Sequence, residues 1–275
     1  MTTATQNRNA LALSVRRILA LLLRHLYLLR SSGPRILELM YWPTVQMILW
    51  GFITVFLVSH STWVAQASGV LLSGVLLWDV LFRSQLGVSL VFMEEMWSRN
   101  LGHLFVSPLR PIELIWALLV MSLIRTLIGV GGAALIAIPL FDYSIFSLGL
   151  PLLAFFTNLI VMGWAIGLLV SGIVLRYGLG AESMAWVAIF AVQPVSGVYY
   201  PIEVLPKWLQ YVAYALPSSH VFEGMRAVLF EHTFRMDLLV NALLLNGVYL
   251  AAGIGSFLAF FNGARTRGQL LHVGE

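Results

Sequence analysis

The sequence predicts an all-α polytopic membrane protein with six transmembrane helices, a single domain over residues 1–275. Three observations predict it. Of its 275 residues, 60% are hydrophobic and only 10% charged, too little charge to cover a soluble domain of that size. Several apolar runs exceed the roughly 20 residues a helix needs to cross a bilayer. None of these runs alternates apolar and polar residues as the strands of a membrane barrel would. The chain has no cysteine, which excludes disulfides and thiolate metal sites. Its formal charge of +4 comes almost wholly from arginine, and the pattern reads as membrane topology rather than nucleic-acid binding.

Residues 10–30 are apolar but carry Arg16, Arg17, Arg24 and Arg30. A signal peptide would have an unbroken apolar core and a cleavage site, and this segment has neither. On a helix, Leu11, Val15, Ile18, Leu22, Leu26 and Leu29 share one face and the arginines take the other half. That is a basic amphipathic helix lying in the interface. Ser31-Ser32-Gly33-Pro34 breaks it. The first span runs from about residue 38 or 40 to 58, with Trp42 and Trp63 at interface depth. The second covers about 64–93 and contains Asp79 and Arg83 at i,i+4, a spacing at which they can pair. Ionisable groups at such depth usually face protein or water. Asp79 and Arg83, with Arg125 in the third span, are therefore candidate pathway residues; structural pairing explains them equally well.

The longest polar interval before residue 170 is Glu94–Glu113. Residues 94–107 are expected to form one short amphipathic helix. Trp97, Leu101, Leu104 and Phe105 lie on one face, Glu94 and Glu95 in the first turn, and Pro108 ends it. The third and fourth spans follow at about 114–140 and 148–175. Gly163, Gly167, Ser171 and Gly172 in the fourth would let helices approach closely. The fifth span, about 184–200, is interrupted by Gln193-Pro194. Residues 201–235 then read as an external hairpin of two short helices, Lys207–Leu216 and Ser219–Phe230. Pro201, Pro206, Trp208, Pro217, Glu223 and Arg226 mark it. Pro206 suits a helix start, and Ser218 or Ser219 suits an N-cap. The last span covers about 238–261, with Gly247, Ala251 and Gly255 as a small-residue stripe.

Six spans place both termini on one side. If that side is the cytoplasm, eleven basic residues lie inside (Arg8, Arg16, Arg17, Arg24, Arg30, Arg35, Arg99, Arg110, Arg176, Arg265 and Arg267). Three lie outside, Lys207, Arg226 and Arg235. The bias follows the positive-inside rule. Helix 94–107 is then cytoplasmic and the hairpin external.

No catalytic pattern emerges. There is no G-x-x-x-x-G-K-[ST] and no H-E-x-x-H, none of Ser68, Ser73, Ser171 and Ser196 has glycine two residues before it, and the histidines are scattered. The chain is not expected to be an enzyme, nor to bind a metal or cofactor. A stand-alone channel, secondary transporter or intramembrane enzyme remains the alternative to a permease driven by a partner at 94–107.

Two blocks carry a family resemblance. One is the acidic, Leu-rich segment from Glu94 ending in Ser107-Pro108-Leu109. The other is Gln193-Pro194-Val195-Ser196-Gly197-Val198-Tyr199-Tyr200-Pro201, followed by Leu205-Pro206-Lys207-Trp208, Leu216-Pro217 and Glu223-Gly224-Met225-Arg226. With the order of spans over nearly the whole chain, they resemble the permease subunit of ABC-2 type transporters. Trp97-Ser98-Arg99-Asn100 departs from the E-R-x-x-G-T-like run of many members. The resemblance implies an exporter of two permease chains, a homodimer, and two ATP-binding cassette subunits that hold ATP and Mg. It implies a bacterial inner-membrane location and an amphipathic or hydrophobic substrate: a drug, a lipid or a lipid-linked glycan. It makes 94–107 the coupling helix, with Glu94, Glu95, Trp97, Arg99, Leu101 and Phe105 as its contact residues.

Overall fold

The computed structural model of the protein describes residues 2–60 and 62–266, without the side chains of 2–10, 58–68 and 105. Ten α-helices follow in order among the described residues: α1 (Thr2–Arg30), α2 (Gly33–His60), α3 (Thr62–Trp97), α4 (Leu101–Val106), α5 (Pro111–Phe141), α6 (Leu150–Tyr177), α7 (Met184–Val192), α8 (Lys207–Tyr214), α9 (Pro217–Arg226) and α10 (Met236–Thr266). None of the described residues forms a strand. Five helices, α2, α3, α5, α6 and α10, are long and apolar enough to cross a membrane. Pro111 opens α5, and the Glu113 carboxylate turns back to accept the Arg110 backbone N–H at 2.9 Å, satisfying a donor the helix end leaves free.

The close approaches of glycines give the helix directions. Leu81 and Ser84 of α3 meet Gly163 of α6, and Gln85 and Val88 meet Gly167. Asn158, Ala165 and Gly172 of α6 meet Asn246, Gly253 and Phe257 of α10 in the same order. So α3, α6 and α10 run parallel. Leu39, Met40 and Gly51 of α2 meet Gly129, Gly132 and Phe141 of α5, so those two run parallel to each other and opposite to the first three. Since α6 and α10 point the same way, the chain returns between Tyr177 and Met236. It does so through α7, the 3-10 turn Gln193–Val195 and the loop to Tyr200.

The interruption expected at Gln193-Pro194 is present. Residues 184–200 do not form one helix. Pro194 lacks a backbone N–H, and α7 stops after nine residues. Gly197 then turns the chain at φ 67°. The loop is held from α9. Arg226 donates from Nη1 to the Gly197 carbonyl at 2.7 Å and pairs through Nη2 with Glu223 at 2.7 Å, while Glu223 accepts the Ile202 backbone N–H at 2.9 Å. Helix α9 begins at Pro217, its N1 residue, so Ser218 and Ser219 are not caps. They lie buried inside it, bonded to Ser196 Oγ at 3.0 Å and to the Val195 carbonyl at 3.2 Å. Pro206 caps α8 and Trp208 is exposed on it. Pro201 is exposed in the loop. A π-turn, Ala227–Glu231, follows α9.

Two apolar clusters form the core. One gathers Leu21, Leu22, Phe92, Leu101, Leu114 and Phe257 at the end that carries α1 and α4. The other gathers Met47, Leu76, Leu77, Phe222 and Met225 toward the end that carries α8 and α9. The small-residue stripe expected on the last span does not pack against the rest of this chain. Gly247, Ala251 and Gly255 are exposed, and the glycine pressed into a neighbour is Gly253, where an added Cβ would stand 2.6 Å from the Ala165 carbonyl. Its companions on that face are Ala242, Asn246, Phe257 and Phe261.

Candidate functional site: the junction of α1, α3, α4 and α5

Residues 94–107 are two elements, not one helix. Glu94 to Trp97 complete the last turn of α3, so the two carboxylates sit at a helix C-terminus, the end whose dipole disfavours them. Arg99 adopts the left-handed conformation at φ 53°, a position usually left to glycine after a helix. The Asn100 N–H returns to the Glu95 carbonyl at 3.0 Å, and α4 begins one residue later.

Cations from other helices compensate the adverse placement of the carboxylates. Glu95 is 1% exposed. It accepts from Arg24 Nη1 at 2.8 and 2.9 Å and from Asn100 Nδ2 at 2.7 Å. Glu94 accepts both its bonds from Arg125 Nη2, at 3.0 and 2.9 Å. Arg17 reaches Glu113 at 3.3 Å. Together these contacts tie α1, α3, the turn at Asn100 and α5 into one charged junction. Removing one partner of a buried pair leaves the other charge uncompensated.

Of the six residues expected to contact a partner, Glu94 and Glu95 turn inward and Leu101 is buried in the core. Trp97, at 49% exposure, and Arg99 face outward. The side chains of Phe105, Trp63 and Arg8 are not described, and Arg267 lies outside the described residues. The exposed edge is therefore Trp97, Arg99, His103 and Val106. Arg125 is held by Glu94 at 2.9 Å. Asp79 and Arg83 stand apart, farther along α3 toward the other end. Asp79 Oδ2 and Arg83 Nε are buried without a hydrogen-bond partner.

Helix α1 starts at Thr2, earlier than expected. Leu22 and Leu29 of its predicted apolar face are buried, Ile18 and Leu26 are partly buried, and Leu11 and Val15 are exposed. Arg17 and Arg24, expected on the polar half, instead reach carboxylates of α5 and α3. The residue that helical spacing missed is His25, 1% exposed. Its Nε2 lies 3.4 Å from Glu95 Oε1, within ion-pair distance but outside hydrogen-bond geometry, so neither ring nitrogen has a hydrogen-bond partner. The only signal was a polar residue between Leu22 and Leu29 on the apolar side.

Burial holds the His25 pKa below its usual 6.5, helped by Arg24 and Arg125 and opposed by Glu95 and Glu94. The neutral ring is thus the form that α1 docks with. The unfolded or undocked chain binds the proton more readily, so docking is strongest above 6.5 and weakens as pH falls from there toward the folded value. The protein is expected to melt at a lower temperature at about pH 5.5 than at about pH 7.5, and His25→Gln should flatten that part of the profile. Equal pH dependence in wild type and variant would rule out this role.

The ABC-2 type transporter family model matches residues 29–230. No curated protein sequence matches the chain. The match takes in α2 to α9 and most of the charged junction, and it covers well over half of the chain. With five helices of membrane-spanning length and an all-helical body around them, the chain belongs to the ABC-2 type transporter family and is a membrane-embedded permease subunit rather than the ATPase.

Proposed function

We propose that this permease is the membrane half of an ATP-driven exporter, working as a pair of identical chains with two ATP-binding cassette subunits that hold ATP and Mg. It carries an amphipathic or hydrophobic molecule (a drug, lipid or lipid-linked glycan) outward across the bacterial inner membrane. The chain crosses six times, counting the return through α7, which puts both termini and the α1–α4 end in the cytoplasm and the α8–α9 hairpin outside.

The observation that carries this reading is the anchoring of the turn at Trp97–Asn100. Its outward edge is free, while its inward carboxylates grip α1 and α5. A partner seated on Trp97 and Arg99 pushes on Glu95 and Glu94, and through Arg24 and Arg125 on two other helices. The permease supplies alternative packings of its spans, and the ATPase biases them through that lever.

The test is co-purification with the cognate ATP-binding subunit from cells expressing both. Wild type should assemble and hydrolyse ATP faster with substrate present. Trp97→Asp with Arg99→Glu, both exposed, should abolish assembly while the permease still inserts and purifies as a single species. If the permease binds no ATPase, or the double variant binds it as wild type does, the reading fails.

A further inference from the structure

Asp79 is 5% exposed, and its Oδ2 is buried with no hydrogen-bond partner. An unsatisfied carboxylate oxygen inside a span is costly, and the surroundings do not relieve it. Arg83, one turn on, interacts with it electrostatically, yet Arg83 Nε is itself unpartnered. The Tyr199 hydroxyl, also within electrostatic range of Asp79, already accepts from Gln193 Nε2 at 3.1 Å.

Around this group the walls are aromatic. The Arg83 guanidinium stands 5.9 Å from the Phe82 ring centre. Phe82 lies 6.0 Å from Trp186 and 5.9 Å from Phe190 of α7. Those two stack on each other and are 47% and 52% exposed, so the rim is open. On the other side Trp50 stacks on Tyr199 at 4.6 Å. Aromatic faces attract cations, and more so where water is scarce.

From the orphaned acceptor and the ring-lined open rim, we infer that the α2–α3–α7 face binds an amphipathic cation. Its charged nitrogen meets Asp79, and its planar or apolar body lies on Trp186 and Phe190. Asp79, and not Arg83, is the ligand-binding group. This rests on the exporter reading and narrows its substrate to lipophilic amines and related cations.

The test reads binding directly, without the ATPase. Wild-type permease in phosphatidylcholine nanodiscs is titrated with rhodamine 6G, a planar cation, and with Nile red, a neutral amphiphile. Rhodamine 6G should bind saturably, and Asp79→Asn should weaken it about tenfold or more while leaving Nile red unchanged. Trp186→Leu, on the exposed rim where folding does not depend on it, should also weaken rhodamine 6G, and Arg83→Gln should not. Absence of saturable binding to wild type, an Asp79→Asn affinity within about twofold of wild type, or equal losses in Asp79→Asn and Arg83→Gln would overturn the inference. So would tight binding of anilinonaphthalene sulfonate, an anion, that Arg83→Gln abolishes. Cation binding that depends on Asp79 in a permease that recruits no ATPase would retire the exporter reading and leave the site standing.

Discussion

Replacing Gly167 with leucine should prevent the helical body from packing. A Cβ at this position would stand 2.7 Å from Val88 Cβ and 2.8 Å from the Gln85 carbonyl oxygen. The second contact is the harder one, because it is backbone of a buried helix and cannot rotate away. Gly163 one turn earlier meets the Leu81 carbonyl at 2.8 Å in the same sense, so α3 and α6 touch along a seam where lateral shift at one glycine drives a clash at the next. Overpacking a filled core costs about 1–3 kcal/mol, and a side chain wedged between two backbones belongs at or above the top of that range. Against a total stability of about 5–15 kcal/mol, Gly167→Leu should yield aggregated or rapidly degraded permease, and Gly167→Ala a lower melting temperature. Gly247→Leu is the control. Nothing lies within 4 Å of its Cβ position, so stability should move by less than about 0.5 kcal/mol. Size-exclusion profiles and melting curves in detergent read both. A monodisperse Gly167→Leu with wild-type melting would refute the seam.

The same seam shows what the sequence can and cannot reveal. Spacing alone marks Gly163, Gly167 and Gly172 in α6 and Gly247, Ala251 and Gly255 in α10 as equivalent stripes. The first is buried and the second is not, because a stripe specifies a face and says nothing of what that face meets. Long apolar runs were legible for the five long helices to within a few residues, since hydropathy and length dominate their energetics. The return through α7 was legible only as an interrupted span: Pro194 announces a break, but the Arg226–Gly197–Glu223 bonding that stabilises the broken form joins residues 29 apart. At the charged junction, the acidic pair and the arginines of α1 stood out by type. Their pairing did not, because Arg24 and Glu95 are 71 residues apart and because an amphipathic helix drawn alone turns all its arginines to water or headgroups.

Removing the Glu95 carboxylate should release α1 and disconnect the turn from the spans. In Glu95→Ala, Arg24 loses its acceptor but can turn to solvent, being 37% exposed at the side chain. Asn100 Nδ2 loses its partner, and His25 stays buried beside a void. Breaking a buried pair costs about 3–5 kcal/mol, and the partial exposure of Arg24 lowers this to about 2–3 kcal/mol. Glu95→Gln keeps an oxygen for Asn100 and loses only the charge, so it should cost less, about 1–2 kcal/mol. Hydrogen exchange along residues 17–30 and tryptic cleavage after Arg24 and Arg30 should both rise in Glu95→Ala, with protection inside α6 unchanged. The functional consequence separates docking from transmission. Trp97 and Arg99 keep their outward edge, so the ATP-binding subunit should still assemble, whereas substrate should no longer accelerate its ATP hydrolysis. Trp97→Asp with Arg99→Glu should give the opposite pattern, no assembly and an undisturbed α1. If Glu95→Ala loses assembly as well, the turn is a docking surface supported from behind. If it loses neither assembly nor stimulation, force reaches the spans by a route that bypasses Glu95, and the Glu94–Arg125 pair is the charged contact that still joins α3 to α5.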